Sequence, residues 1–223
     1  MDKDKIIKAI NRHRKLAKIF LAMYMHLPLN NKLGGNISHG LSFIKGCKIL
    51  CRGKNNKIVI GDFTRLIGCT IRIQGNNNTV IIGDACSCNH ADIWMEDDNN
   101  TLQIGDKTAL CGSIQLAVIE GTQLIIGKDC LFSSKIDIRT GDSHSLIQQD
   151  TGKRINYSRS ITIEDHVWVG TGVTILKGTH IANHCMVGAG SLLCKKYDDS
   201  NCVIAGNPAK EVKSNVDWLP QRI

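Results

Sequence analysis

The sequence predicts an all-β fold: a parallel β-helix of three-sided coils, with a short N-terminal α-helix and one protruding loop. Three observations predict it. First, Ile60-Gly61, Ile82-Gly83, Ile104-Gly105 and Ile126-Gly127 recur every 22 residues, and the residue two before each Ile is apolar on the same spacing (Ile58, Val80, Leu102, Leu124). Second, aromatic content is 4% while 21 glycines accompany many Ile, Val and Leu, so stacked rows of β-branched side chains fit better than a core of large rings. Third, the period tightens past residue 160, where Ile163, Val169, Ile175, Ile181 and Val187 are spaced by six. Periods of this kind mark solenoids, in which no coil buries its apolar row alone.

The N-terminus reads differently. Lys3, Lys5, Lys8, Arg12, Arg14, Lys15 and Lys18 stand against Asp2 and Asp4, and supply much of the net charge of +8. Ile6, Ile7, Ile10, Ala17, Phe20, Leu21 and Tyr24 recur at helical spacing, which predicts a basic amphipathic helix over 3–26, ending before Pro28. Residues 1–35 are thus helix and linker, and 36–223 the β-helix domain. The helix is read first as a cap on the domain or a neighbouring subunit. A peripheral membrane-surface contact is the sharper alternative.

Within each coil, Leu66, Cys88, Leu110 and Phe132 follow the repeated Ile by six residues, and Arg72, Trp94, Leu116 and Ile138 by twelve. One inward residue per short strand, three strands per coil, gives a triangular turn, and all of these but Arg72 are read as core-facing. The four residues left in each period match connectors such as Asn55-Asn56, Asn76-Asn77-Asn78, Asn99-Asn100 and Gly121-Thr122, residue types that suit corners. Ile44 and Leu50 extend the register back to a weaker first coil. The rule then places the next Ile at 148, but it comes at Ile163, a 15-residue insertion. The polar stretch 141–160 therefore leaves the coil as a loop, and a loop of this length on a solenoid is a candidate functional site.

Composition narrows the classes further. No apolar run approaches the roughly 18 residues that cross a bilayer, and the charged N-terminus lacks a signal peptide's apolar stretch, so a cytoplasmic location is expected. No nucleic-acid partner is expected. The ten cysteines (Cys47, Cys51, Cys69, Cys86, Cys88, Cys111, Cys130, Cys185, Cys194, Cys202) are spread through the repeats and read as small buried hydrophobes. A zinc site would draw on Cys86, Cys88 and His90, or on His180, His184 and Cys185. Neither set has paired Cys-x2-Cys units, so no metal is expected.

Gly141-Asp142-Ser143-His144, His166-Val167-Trp168-Val169-Gly170, Val173-Thr174-Ile175-Leu176-Lys177-Gly178 and Val203-Ile204-Ala205-Gly206-Asn207-Pro208-Ala209-Lys210 occur in that order along the repeats. With these motifs the chain resembles the hexapeptide-repeat acyltransferases over roughly residues 50–217, most nearly the bacterial polysialic-acid and capsular-polysaccharide O-acetyltransferases. The resemblance implies a left-handed parallel β-helix and a homotrimer with acetyl-CoA lying between neighbouring subunits. It maps the family's catalytic histidine onto His144 and its active-site tryptophan onto Trp168. Gly170, Gly188 and Ala189 take the places of the CoA-lining residues, and Lys195 and Lys210 those of the basic CoA contacts.

Transfer from a thioester to a sugar hydroxyl needs a base for the hydroxyl proton and donors for the developing oxyanion. A histidine, mostly neutral near pH 7, suits the first task. Of the eight histidines, His144 alone stands beside the phase break in a Gly/Asp/Ser setting. Asp142 is the candidate to orient its ring, or else a corner residue. Trp168, on the first tight coil, either packs or walls the acyl pocket, its indole N–H available as a donor. Lys195, Lys196, Lys210 and Lys213 are the cations available to CoA phosphates. The acceptor is read as a bacterial surface saccharide. A nucleotide-linked amino sugar, a free sugar or an antibiotic remains the alternative, and a non-enzymatic solenoid such as an adhesion scaffold is the different-class reading.

Overall fold

The computed structural model describes residues 12–14 and 35–223. The helix predicted over 3–26 lies outside the described residues except at 12–14, where Arg14 forms a two-pronged pair with Asp62 at 2.8 and 2.9 Å.

From Gly35 the chain winds as a three-sided parallel solenoid. The first face begins with Gly35–His39 and stacks eight strands, the second begins with Phe43–Lys45, and the third begins with Lys48–Arg52 and stacks seven. Every pairing is parallel except the last, where Val203–Gly206 turns through Asn207-Pro208 into the antiparallel Ala209–Lys213. Ile58, Val80, Leu102, Leu124, Ile161 and their neighbours fill a continuous core at 0–1% exposure. Burial of one such side chain contributes about 1.5–3 kcal/mol. The tight repeat behaves as expected: Ile163, Val169, Ile175, Ile181 and Val187 are all fully buried.

Corner chemistry explains the repeat. Asp62, Asp84, Asp106 and Asp165 form a column in which each carboxylate accepts a backbone N–H from the coil before it, at 2.7–2.9 Å. Gly61, Gly83 and Gly127 make room for this column: a Cβ at Gly83 would overlap the Asp106 carboxylate, while Gly105 yields to the backbone of Gly127 and Lys128 instead. Asn56, Asn78 and Asn100 do the same inside a second corner, taking the N–H of Asn78, Asn100 and Thr122 at 2.9–3.1 Å. Buried corner amides are satisfied this way where no strand partner exists.

Cys86 and Cys130 belong to such a column. Thr64, Cys86, Thr108 and Cys130 stack in one corner, where Thr64 accepts the N–H of Cys86, Thr108 that of Cys130, and the Cys130 sulfur that of Val167. All ten cysteines are free thiols, and Cys111 and Cys194 are exposed rather than buried. Burial raises the Cys130 thiol to about 11, despite the N–H of Val167 on its sulfur. A thiol so raised stays protonated and unreactive, whereas the hydrogen bond with Cys69 holds Cys47 below its ordinary value.

Two core assignments fail. Leu50 and Trp94 face outward in register with Arg72, while Ile71, Ile73, Ile93 and Met95 take the core. The cause is a one-residue slip on the third face. Leu116 pairs with Ile93, 23 residues away, while neighbouring faces keep a 22-residue spacing. The extra residue sits in the corner at 111–113. In a strand one residue exchanges the two faces.

Candidate functional site

The insertion leaves the solenoid after Ile136–Arg139, the strand of the third face, and returns at Ile161–Ile163 on the first. Its base is closed by Gly141, where a Cβ would overlap Ser158 and Ile119. Above the base, Ile147 and Arg154 bridge antiparallel, and Ile155 donates to the Leu146 carbonyl at 2.8 Å. The loop is therefore a narrow ribbon rather than an open coil.

Asn156 holds this ribbon together. Its amide donates to Asp142 Oδ2 and to the His144 carbonyl, both at 2.8 Å, while its Oδ1 accepts the Leu146 N–H at 2.7 Å and Arg154 Nε at 3.2 Å. Lys177, from the coil beyond, pairs with Asp142 and donates to the Asn156 carbonyl at 2.9 Å. Arg154 in turn pairs with Glu120 at 2.6 Å. The Lys177 ammonium, with Asn156, holds Asp142 below the usual carboxylate range. Arg154 does the same for Glu120.

His144 is exposed on this ribbon. Asp142 does not meet its ring: the carboxylate is taken by Lys177 and Asn156, and what it fixes is the His144 backbone, through Asn156. Ser143 and Gly141 line a groove of about 250 Å³ along the outer third face, with Arg72, Trp94, Ala117 and Arg139. The small Ala117 leaves the gap between Trp94 and Arg139. Arg72 lies over the Trp94 ring at 5.2 Å and pairs with Asp92 at 2.7 Å, and Arg139 pairs with Asp137 at 2.8 Å. Both arginines are thus already neutralised, and the groove offers hydrogen-bonding edges and one aromatic surface rather than a positive field.

Trp168 stands elsewhere. It lies on the second face between Leu131 and Met186. Among the described residues its ring meets Trp218 at 6.0 Å and makes no hydrogen bond or ring contact with His144. His144 projects from the corner between the third and first faces, opposite the second. One chain does not bring the two candidate residues together.

A family model described as bacterial transferase hexapeptide (six repeats) matches residues 160–195. The polysialic acid O-acetyltransferase of Neisseria meningitidis is 37% identical over 107 residues, 48% of this chain and 50% of that protein. The corresponding enzyme of Escherichia coli O1:K1 / APEC is 34% identical over 101 residues, 45% of this chain and 33% of that one. The matched stretch thus spans half or less of these curated relatives. The solved polysialic acid O-acetyltransferase OatWY superposes with a TM-score of 0.79 at 33% identity, covering 86% of this chain and 90% of that one. The chain belongs to the hexapeptide-repeat transferase family. A second solved structure, the polySia specific acetyltransferase NeuO, superposes at 0.57 with 27% identity, covering 84% of this chain and 90% of that one. The parallel solenoid is accordingly the left-handed β-helix of this family.

In this hexapeptide-repeat transferase the remaining candidates sit on the last coils. A Cβ at Gly170 would come within 2.7 Å of Ala189 N, and one at Gly188 within 2.9 Å of Ala205 Cβ. Close stacking of adjacent coils therefore demands these small residues, whatever lies outside them. Lys195 sits over the Tyr197 ring at 5.4 Å, and the Tyr197 hydroxyl donates to the carbonyl of Ala209, the neighbour of Lys210. Lys195 and Lys210 are both exposed, and of the two only Lys195 lies against the tyrosine ring.

Sequence reasoning missed Asn156, Arg154 and Glu120, and placed Lys177 in a motif without a role. It set Arg72 apart from the core but missed that Trp94 and Arg139 share its outward row. An Asn in a polar loop, or a salt bridge between residues 34 apart, carries no local signature.

Proposed function

We propose that this protein transfers an acetyl group from acetyl-CoA to a hydroxyl of a bacterial surface saccharide, acting in the cytoplasm as a homotrimer, with His144 as general base. The observation that carries the reading is the braced His144 ribbon beside an open groove, on a chain that superposes along most of its length with a polysialic acid O-acetyltransferase. Acetyl-CoA, whose phosphates suit the exposed Lys195 and Lys210, supplies an activated thioester. His144 takes the proton of the acceptor hydroxyl as its oxygen attacks the acyl carbon. Trp168 contributes an indole N–H that has no hydrogen-bond partner among the described residues and is free to stabilise the negative charge developing on the acyl oxygen. The proton passes through the imidazole to the departing thiol.

The groove beside Ser143 suits a sugar, because Trp94 offers a flat apolar face and the paired arginines offer oriented donors to hydroxyls. Since His144 and Trp168 lie on opposite sides of one prism, the site forms where the His144 ribbon of one copy meets the second face of the next. Release of CoA thiol with a panel of purified saccharides, followed by mass spectrometry of the product, tests the activity and names the acceptor. Mixing tests the shared site. Randomly assembled trimers of His144→Ala and Trp168→Ala chains recover about one quarter of wild-type activity, since each site then draws both intact residues from different copies with that frequency. A mixture as inactive as its parents would place both residues in one copy and overturn the shared site.

A further inference from the structure

The C-terminal segment folds back across the corner between the first and second faces, and side chains from three coils meet beneath it. His166 and His184 hold equivalent corner positions of successive coils, both at φ 56°, with ring centroids 4.9 Å apart. Asp217 reaches both: Oδ1 is 3.5 Å from His166 Nε2, and Oδ2 is 3.0 Å from His184 Nδ1. The Trp218 carbonyl oxygen lies 3.1 Å from the same His166 Nε2. On the far side of that ring, an Asp129 carboxylate oxygen sits 2.8 Å from Nδ1.

Both nitrogens of His166 face only acceptors. A neutral imidazole has one N–H, so if Asp129 takes it, the Nε2 lone pair points at the oxygens of Asp217 and Trp218. A second proton on Nε2, with His184 donating its Nδ1–H to Asp217, satisfies these contacts as a hydrogen-bonded clasp. A divalent ion held by the same two nitrogens and the carboxylate is the other arrangement these atoms allow. The ligand atoms of His166, His184 and Asp217 lie within 4.8 Å of one another. Four-coordinate zinc with bonds of about 2.0–2.2 Å spaces its ligand atoms by roughly 3.4 Å. The two imidazole nitrogens lie 3.5 and 3.0 Å from the two separate oxygens of Asp217, so an ion between them would draw the set, now spread over as much as 4.8 Å, together by about 1 Å.

We propose that His166 Nε2, His184 Nδ1 and the Asp217 carboxylate bind one divalent first-row transition ion per chain, with the Trp218 carbonyl oxygen adjacent as a fourth donor. Two imidazoles and a carboxylate suit zinc, nickel or cobalt rather than calcium or magnesium. Asp129 completes the carboxylate–histidine–metal arrangement that fixes a ligand's tautomer. The half-exposed His184 and Asp217 leave an entry path. Of the zinc combinations weighed from sequence, that of His180, His184 and Cys185 does not converge: His180 pairs with Glu164 and Asp198, and the Cys185 sulfur faces Cys202 at 3.4 Å. The ion would tie the tail to two coils. Trp218 stacks on His166 at 4.4 Å and touches Trp168, so the tie also sets the wall behind Trp168.

The test uses the full untagged chain carrying Cys111→Ser and Cys194→Ser, to remove the exposed thiols, after chelation and desalting. Titration calorimetry with zinc is expected to give one ion per chain. Cobalt should give the visible absorption of a four-coordinate site and quench tryptophan fluorescence through the adjacent Trp218. Asp217→Asn and His184→Gln should each weaken zinc binding at least ten-fold, and Asp129→Asn by about 10–100-fold. Melting of the chelated forms checks that these variants fold, and His180→Gln should bind zinc normally. Failure to bind zinc or cobalt, or binding unchanged in both Asp217→Asn and His184→Gln, would overturn the site and leave a hydrogen-bonded clasp.

Discussion

Asn156 offers a sharp test of how the ribbon presents His144, because it touches neither donor nor acceptor in the proposed mechanism. Asn156→Ala removes four side-chain hydrogen bonds: those to Asp142, the His144 carbonyl, Leu146 and Arg154. The side chain is half-buried, so each bond is taken at the low end of its usual net value, about 0.5 kcal/mol. Together they amount to about 2 kcal/mol of local order, or roughly a thirty-fold shift toward an open ribbon. None of these bonds reaches the stacked core, so the melting temperature and assembly should not change. Turnover is expected to fall by up to about thirty-fold, with little change in the Michaelis constant for acetyl-CoA. Hydrogen exchange at the Leu146 and Ile155 amides should quicken by a comparable factor. Two results would refute the reasoning: exchange that quickens while turnover stays normal, or turnover that falls with exchange unchanged.

Further outcomes follow from the same geometry. His144→Ala should fold and assemble normally and lose about 10²–10⁴-fold in turnover, as expected for a positioned general base; retention of near-normal transfer would remove it from the chemistry. Trp168→Phe keeps the packing and deletes the indole N–H, so turnover should drop without a change in melting temperature. Lys195→Ala and Lys210→Ala should raise the Michaelis constant for acetyl-CoA more than they lower turnover, with an effect that shrinks in salt. His180 is opposed by burial, yet Asp198 and Glu164 more than offset this and raise its pKa. A raised folded value means its stabilisation is complete below the ordinary imidazole value of about 6.5 and is lost as pH rises through the higher folded one. His180→Gln should therefore flatten the fall in melting temperature over that interval, read by calorimetry at stepped pH.

The period was legible because the coils repeat one corner device: a glycine that yields space to the next coil, to its Asp at Gly61, Gly83 and Gly127, and an Asn or Thr that accepts the next N–H. Such devices write themselves into sequence at fixed intervals. Leu50 and Trp94 were misread because a single residue added at 111–113 shifts the third face alone, and counting from the repeated Ile cannot detect a slip confined to one corner. His144 was legible as the histidine beside the phase break and by its match to the family motif. Its supports were not. Lys177 lies 35 residues from Asp142 in sequence, and Trp218 lies 52 from His166, so only the stacking of coils makes them neighbours.

The insertion also shows how a solenoid can carry chemistry without weakening its core. Across it, Leu124 pairs with Ile161 and Ile126 with Ile163, and the Gln123 N–H finds the Ser160 hydroxyl, so the ladder closes over 37 residues much as it closes over 22 elsewhere. The core does not register what happens between Thr140 and Ser160. Closing a longer loop costs only about 0.6 kcal/mol for each doubling of its length. The ribbon's position is then set by bonds to the outside of the solenoid, Asp142 to Lys177 and Arg154 to Glu120. A rigid prism gives the ribbon fixed anchors but holds Trp168 on its opposite side. The rigidity that positions His144 thereby keeps one chain from completing the proposed site, and in the proposed mechanism assembly with a second copy is a requirement rather than an addition.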